Sequence, residues 1–505
     1  MGLIGNLVGA AVTAALAHTL YSYITSSTRD LPGPIVAKLT NLWRFLLVYK
    51  GRLHEIQKDL HDQHGDVVAI GPGCISISNP GLIKPMYANR SWIKSQFYSV
   101  SDIRIGNRIH RTSFSTRDEI EHSQIIRPVN KHLQTQQVLR HESNMDKTTI
   151  QFETKLNEFA SSKQSCPVDR WLQFCAWDIM GETTFSTGFD FLRDSSNFAD
   201  CITDSERAHD YFATVGQIPL IDRFLDKNPL GRVGPPSFAA GVAFCATQYA
   251  RRISGKDGHD PIESYDFLDA YLLEKELNDD ITGSTIVDWL IRNVLPGTET
   301  VAIELRAIVY FLCKNLQAQH KLQKELDAIH FTTWPPAYKE TQRLPYLDAV
   351  INEALRLHPA ISLSLERVVP GEGFTMPDGT YLSPGTIVGI NPYVVGRHKP
   401  TYGQDADEFR PERWLQDIDE DDFVFNSRLT TMKDADFVFG FGKRSCPGRS
   451  LAIIEIFKIV AAMYSKFEIR LVDPQKKWKT KNSWLVRQWD MDVVVTRRGS
   501  DIDAD

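Results

Sequence analysis

Apolar positions along the chain follow three rhythms, and each predicts a different kind of element. The run GLIGNLVGAAVTAALAHTLYSYI, residues 2–24, contains no Lys, Arg, Asp or Glu. Crossing a bilayer takes roughly 20 apolar residues, so this run is long enough to span one, although Asn6 and His18 interrupt it. A cleaved signal peptide is the rival reading, with Ala15-Leu16-Ala17 as the small-residue cleavage site. No basic residue precedes the run, whereas Arg29, Lys38 and Arg44 follow it. That order predicts an uncleaved anchor with the rest of the chain on the cytoplasmic side. Leu31-Pro32-Gly33-Pro34 then forms a stiff extended elbow. Strict alternation between turn signals predicts a small hairpin within residues 65–80 and further short strands around Asp378-Gly379. From about residue 120 to 330 the period becomes helical. Ser284 to Ile329 predicts one long helix, or two joined, with Pro296-Gly297 inside. Leu344 to Pro359 predicts another, with Leu347, Val350, Ile351, Ala354 and Leu355 on its apolar stripe and Pro359 ending it. A last helix runs from about Arg449 to Phe467, and Met491–Thr496 alternates as a strand. No linker interrupts the body. The reading is mainly α with a smaller β part: one large domain, residues 29–505, behind an anchor and flank at residues 1–28.

Composition narrows the function. The 505 residues carry a net charge of −6, which argues against nucleic acid as a partner. Hydrophobic residues at 42% supply a large core. The seven cysteines are widely spaced with no C-x-x-C pair. This leaves no structural zinc set and no disulfide framework, and it suggests a reducing compartment.

One cysteine stands in an unusual setting. FGFGKRSCPG, Phe439 to Gly448, is a basic, glycine-punctuated loop between an aromatic run and a helix. Glycines let backbone amides approach a sulfur, and a helix start adds a positive field; both favour a thiolate. Pro447, placed just inside the predicted helix, needs no N–H there. A single shielded thiolate is a way to ligate haem iron when O–O cleavage must be favoured. The alternative reading is a buried structural cysteine.

The loop resembles the haem-ligating signature of the cytochrome P-450 family, F-x-x-G-x-R-x-C-x-G, with Phe439, Gly442, Arg444, Cys446 and Gly448 at its marked positions. The resemblance implies the cytochrome P-450 fold and haem b, with Cys446 as the axial iron ligand and Arg444 pairing with a haem propionate. It also gives meaning to weaker patterns. Glu353 and Arg356, at i and i+3 on one helix face, resemble the family's E-x-x-R. With Arg413 of Pro411-Glu412-Arg413-Trp414 they imply a buried structural triad, Trp414 standing where Phe is usual. A second E-x-x-R, Glu340 and Arg343, reads as a solvated surface pair. Leu295 to Val301 resembles the central-helix motif [AG]-G-x-[DE]-T: Gly297 is expected to open a groove, and Glu299 and Thr300 to act as the acid and alcohol that deliver protons to the oxygen being activated. Pro296 departs from that motif and predicts a kink, since it cannot bond the carbonyl of Arg292. Arg367 matches the usual position of a propionate-pairing cation. In the early-helix pattern W/H-x-x-x-R, His122 matches, Ile126 occupies the arginine position, and Arg127 follows one residue later; His122 and Arg127 are the candidate haem contacts there.

The resemblance covers nearly the whole chain, and its opening segments look like the membrane-bound fungal, pisatin demethylase-like group. It implies a monooxygenase that hydroxylates or epoxidises a lipophilic small molecule with O2 and NADPH-derived electrons, in fungal secondary metabolite biosynthesis. No nucleotide-binding G-x-G-x-x-G follows a strand, so electrons are expected from a separate NADPH-cytochrome reductase docking near Lys443 and Arg449. The endoplasmic reticulum membrane is the expected location. Residues 98–116, 218–230, 294–300 and 361–365 are expected to line the substrate site, and Ile218–Leu225 to dip into the membrane. Alternatives are a haem-thiolate isomerase or dehydratase working without O2, a detoxifying demethylase, and a non-catalytic haem-binding membrane protein.

Overall fold

The computed structural model describes residues 19–105, 108–195, 201–234 and 239–499, together with positions 6, 10, 13 and 17. The anchor expected at residues 1–28 falls largely outside these. Among the described residues no helix is long and apolar enough to cross a membrane. Lys38 and Arg44, two of the cations after the apolar run, turn into the body. Lys38 Nζ donates to Arg29 O at 2.9 Å, and Arg44 pairs with the buried Glu366 at 2.8 Å.

The core is helical. Gly283–Lys314, 32 residues, starts at an N-cap where Thr282 Oγ1 accepts from Thr285 N at 3.2 Å. Every residue from Val301 to Tyr310 is buried. A helix covered on all sides must lie at the centre, and this one packs along Val168–Phe185, Ala239–Ile253, Pro345–Leu357 and Arg449–Lys466. It stays helical through Pro296. It ends before Asn315, whose Oδ1 accepts from Ala318 N at 3.1 Å and caps the next helix, Leu316–Asp327. The long periodic run is therefore two helices, divided by a capping residue and not by the proline. Pro345–Leu357 buries all five predicted stripe residues.

A four-stranded sheet flanks the helices. Val67–Gly71 pairs antiparallel with Cys74–Ile77, which joins Ile387–Ile390 in parallel, and Arg367–Val368 closes the edge antiparallel. The hairpin strands are buried on both faces: Val67, Ile75 and Ile77 pack with Leu82 and Met86, while Val68, Ile70 and Cys74 pack with Leu60. Near the C-terminus Phe467–Leu471 pairs with Asp492–Arg497, and Lys479–Ser483 forms a hairpin with Leu485–Trp489. That hairpin turns at Trp484, held at φ +69°.

Candidate active site: a cysteine loop, a buried triad and a cationic seat

The cysteine loop is built by backbone. Gly442 has φ +69°, and a Cβ there would stand 2.3 Å from Tyr87 O, so only glycine fits. Cys446 N donates to Phe439 O at 2.8 Å, closing the loop. The helix Arg449–Lys466 begins where it was expected, but Gly448 is its N-cap and Pro447, expected just inside it, lies outside. The N–H groups of Gly448 and Arg449 lie near the sulfur at this helix start. Crowding by protein atoms raises the thiol pKa; those two N–H groups and the Arg449 charge pull it down. Cys446 is nonetheless exposed, whereas the other six cysteines are buried. It is the exposed cysteine of the chain, in a basic, glycine-turned loop.

Behind the loop the triad is complete. Arg356 donates Nε and Nη2 to Glu353 at 2.8 and 2.7 Å, and Arg413 Nε donates at 2.8 Å. Trp414 Nε1 adds a hydrogen bond at 2.9 Å and the Arg410 N–H another at 2.9 Å. Glu353, Arg356 and Arg413 are all buried. Burial pushes the Glu353 carboxyl up, and the two guanidiniums overcome it and hold the carboxyl below its usual range. The indole donor was not foreseen; at this position Phe could not make that bond. The second motif is not a pair: Glu340 accepts from Thr332 N and Ala337 N and caps its own helix, while Arg343 is exposed.

The cations expected around a haem divide into two groups. Arg444 is occupied: it pairs with Glu119 at 2.8 Å and donates to Ser113 O and Asp118 O. It thereby ties the cysteine loop to the start of the helix Glu119–Asn130. His122, on that helix, is buried, and its pKa falls to about 4, first by burial and then by the Arg444 charge. Arg127 is exposed, five positions further on and turned away from His122 by the helical period. Arg367 is buried, with its guanidinium 4.7 Å above the Tyr87 ring and one nitrogen donating to Glu366 O. Lys94, which sequence reasoning passed over, bridges antiparallel to Arg367.

On the central helix, Gly297 does not open a groove toward a ligand by its bare backbone alone. A Cβ there would lie 3.0 Å from Met180 Sδ, so the missing side chain lets Val168–Phe185 approach closely. Thr300 Oγ1 donates to Pro296 O at 2.9 Å. Glu299 is buried, with Oε2 3.4 Å from His209 Nδ1 on the helix Cys201–Val215. The alcohol and the acid are neighbours in sequence that reach different partners.

Residues 32–490 match the family model described as Cytochrome P450. The chain belongs to the cytochrome P450 family. It is 36% identical to the cytochrome P450 monooxygenase cfoH of Aspergillus candidus, over 96% of this chain and 91% of that protein. It is also 34% identical to the cytochrome P450 monooxygenase pkfB of Emericella nidulans, over 99% of this chain and 97% of that one. A cytochrome P450 is a haem-thiolate monooxygenase that uses O2, a substrate and electrons from a redox partner. The residues present fit the cofactor: a sulfur met by two N–H groups, and buried cations to receive its carboxylates.

In this cytochrome P450 three of the four expected lining segments contribute to an aromatic cluster; the fourth, residues 294–300, packs in the main helical core instead. Phe97, Tyr98, Phe114, Phe212 and Trp484 lie in edge or tilted contact, with ring centres 4.6–6.3 Å apart. Ile221, Leu225, Ile361, Leu363 and Leu365 pack against or within the same cluster. Residues 106–107 of the first expected segment lie outside the described residues. The hydroxyls of Ser362 and Ser364 are engaged inside the fold, with Pro359 O and Gln57 Nε2. Trp484 had no local signal, since only the hairpin places it here.

Proposed function

We propose that this cytochrome P450 hydroxylates or epoxidises a lipophilic small molecule of fungal secondary metabolism, held in the endoplasmic reticulum membrane by residues 1–28, with residues 29–505 as the catalytic domain facing the cytoplasm. The observation that carries the substrate class is the aromatic cluster, an apolar wall with few free polar anchors. Haem b ligated by Cys446 supplies the oxidising chemistry when bound. The chain's own residues do the rest. The Gly448 and Arg449 N–H groups and the Arg449 charge favour the charged form of the Cys446 sulfur against the crowding by protein atoms that raises its pKa. Glu299, 3.4 Å from His209, and Thr300, whose Oγ1 donates to Pro296 O, supply an acid and a hydroxyl on adjacent positions of the central helix, each for its own part in proton delivery. The triad fixes the chain behind the loop.

Two surface features support the partners. Lys443 and Arg449 are exposed beside Cys446 and suit an acidic face of an NADPH-cytochrome reductase. Leu220, Phe224, Leu230 and Val233 are exposed, as are Leu42 and Leu46. Beside them in sequence, Trp43 and Leu47 on one segment and Ile221 and Leu225 on the other pack against the same core cluster. Such a patch suits a membrane surface. The test is reconstitution with a fungal NADPH-cytochrome reductase in vesicles and a panel of terpenoids, polyketides and alkaloids. Substrate-dependent NADPH oxidation, with one atom of labelled O2 in the product, is the expected result. Product formation without O2 would replace the monooxygenation by an isomerase or dehydratase reaction.

A further inference from the structure

One stripe of the central helix is left open. Residues three and four apart share a helix face, so Arg292, Pro296, Thr300 and Ile303 stand in one row. The neighbouring directions are taken. Val294 and Leu295 turn into the helical core, and a Cβ on Gly241 would come within 2.9 Å of Leu295 Cδ2. Gly297 meets Met180, and Glu299 reaches His209. Pro296, between them, is exposed, and Arg292 and Thr300 are half-buried, although the helix is the centre of the fold. At its far end the row enters the aromatic cluster, to which Ile303 belongs with Trp484 and Leu363. At its near end stands a charge that the reaction does not use. Arg292 Nη2 pairs with Asp288, one turn earlier and its only ion-pair partner among the described residues. The Arg292 side chain is 17% exposed and that of Asp288 42%. Arg292 Nε and Nη1 are shielded from solvent and meet no acceptor among the described residues. Donors left unmet away from water are costly, so this is a resting position held by one half-solvated acid. The charge is also felt inside the fold. Burial first, then the Arg444 charge, and last the Arg292 charge lower the His122 pKa to about 4. The guanidinium therefore lies within electrostatic reach of the helix that Arg444 ties to the cysteine loop.

We propose that Arg292 binds a carboxylate on the substrate, so that the lipophilic molecule this chain oxidises is an acid, with its carboxylate at one end of the row and its reacting carbon near Thr300. This rests on the haem-thiolate and lipophilic-substrate readings above. A guanidinium offers a permanent charge and a fork of donors that suit a carboxylate, and the space beside the exposed Pro296 admits one. Arg292 stands eight residues before Thr300, about 12 Å along the helix axis. Both side chains lean toward the helix start, which preserves that spacing. The acid is held well away from the carbon that reacts, and a very short acid cannot satisfy both ends. Asp288 competes for the same guanidinium; when the substrate takes its place, Asp288 turns to the solvent that already reaches it.

The test uses the full-length ferric holoenzyme as wild type, Arg292→Gln, Arg292→Lys and Asp288→Asn. The probes are ω-(imidazol-1-yl)alkanoic acids of increasing chain length and their methyl esters. The imidazole coordinates the haem iron and reports binding through the shift of the Soret band, while the chain carries the acid or the ester outward to a set distance. In the wild type the longer acids are expected to bind about tenfold or more tightly than their esters, the worth of a charge-assisted hydrogen bond. Arg292→Gln is expected to remove that preference and leave the esters unchanged. Arg292→Lys is expected to keep part of it, because the charge remains without the fork. Asp288→Asn is expected to enlarge it, and this opposite sign covers the case in which Arg292→Gln fails to fold. Equal affinity of acid and ester at every length in the wild type, or a preference that survives in folded Arg292→Gln, overturns the proposal. The Soret shift given by the esters then leaves the haem-thiolate reading standing. No shift with any probe removes both.

Discussion

At the scale of single residues, buried charge decides most of the outcomes. Glu353 has five hydrogen-bond donors around it, and two of its partners are guanidiniums with no exposure to speak of. Removing it strands both. Glu353→Ala is expected to cost about 3–5 kcal/mol, seen as loss of folded holoprotein in denaturation or expression assays. Trp414→Phe removes only one donor to the carboxylate and is expected to cost about 1–2 kcal/mol with the fold intact. Glu455 is the opposite case. It is buried on the helix after Cys446, neither oxygen has a hydrogen-bond partner, and burial raises its pKa to about 8. Between its ordinary value and pH 8 the folded state keeps a proton that the unfolded state releases. Stability therefore falls as pH rises through that window, by on the order of 5 kcal/mol. Glu455→Gln is expected to raise the melting temperature at pH 8 and to lose that advantage near pH 4.5. Thermal melts at the two pH values check both the sign and the window.

At the scale of elements, local rules placed what was local. The stripe on Pro345–Leu357 and the loop around Cys446 were legible because each is a short pattern with a mechanism: period 3.6 in one, glycines and a helix start in the other. Pro447 was expected just inside the helix and stands two positions before its first residue, because Gly448 takes the N-cap position. Lys94, Trp484 and the indole of Trp414 were not legible. Each acquires its role from a partner far along the chain: Arg367, Phe212 and Glu353 respectively. Arg444 shows the converse, since its motif position was plain but its partner, Glu119, was not. The central helix offers a test at this scale. Pro296 withholds an N–H from the Arg292 carbonyl in a helix that otherwise continues. Pro296→Ala is expected to raise thermal stability by about 1–3 kcal/mol, measured by denaturant unfolding of the holoenzyme.

At the scale of the whole molecule, the helical core and flanking sheet bring together a cysteine loop, a charge triad and an aromatic wall drawn from opposite ends of the sequence. The exposed apolar residues beside that wall give the membrane reading a test. A variant lacking residues 1–28 is expected to keep measurable binding to phospholipid vesicles in sedimentation. Leu220, Phe224, Leu230 and Val233 changed together to Ser are expected to abolish it. The account's central claim is that Cys446 is the thiolate that holds the haem iron. Its most direct measurement is the carbon monoxide difference spectrum of the dithionite-reduced protein, with Cys446→Ala beside it. The expected result is a Soret band strongly red-shifted from the histidine-ligated position in the wild type and absent from the variant. An unshifted band in the wild type, or a shifted band that survives in Cys446→Ala, would contradict it.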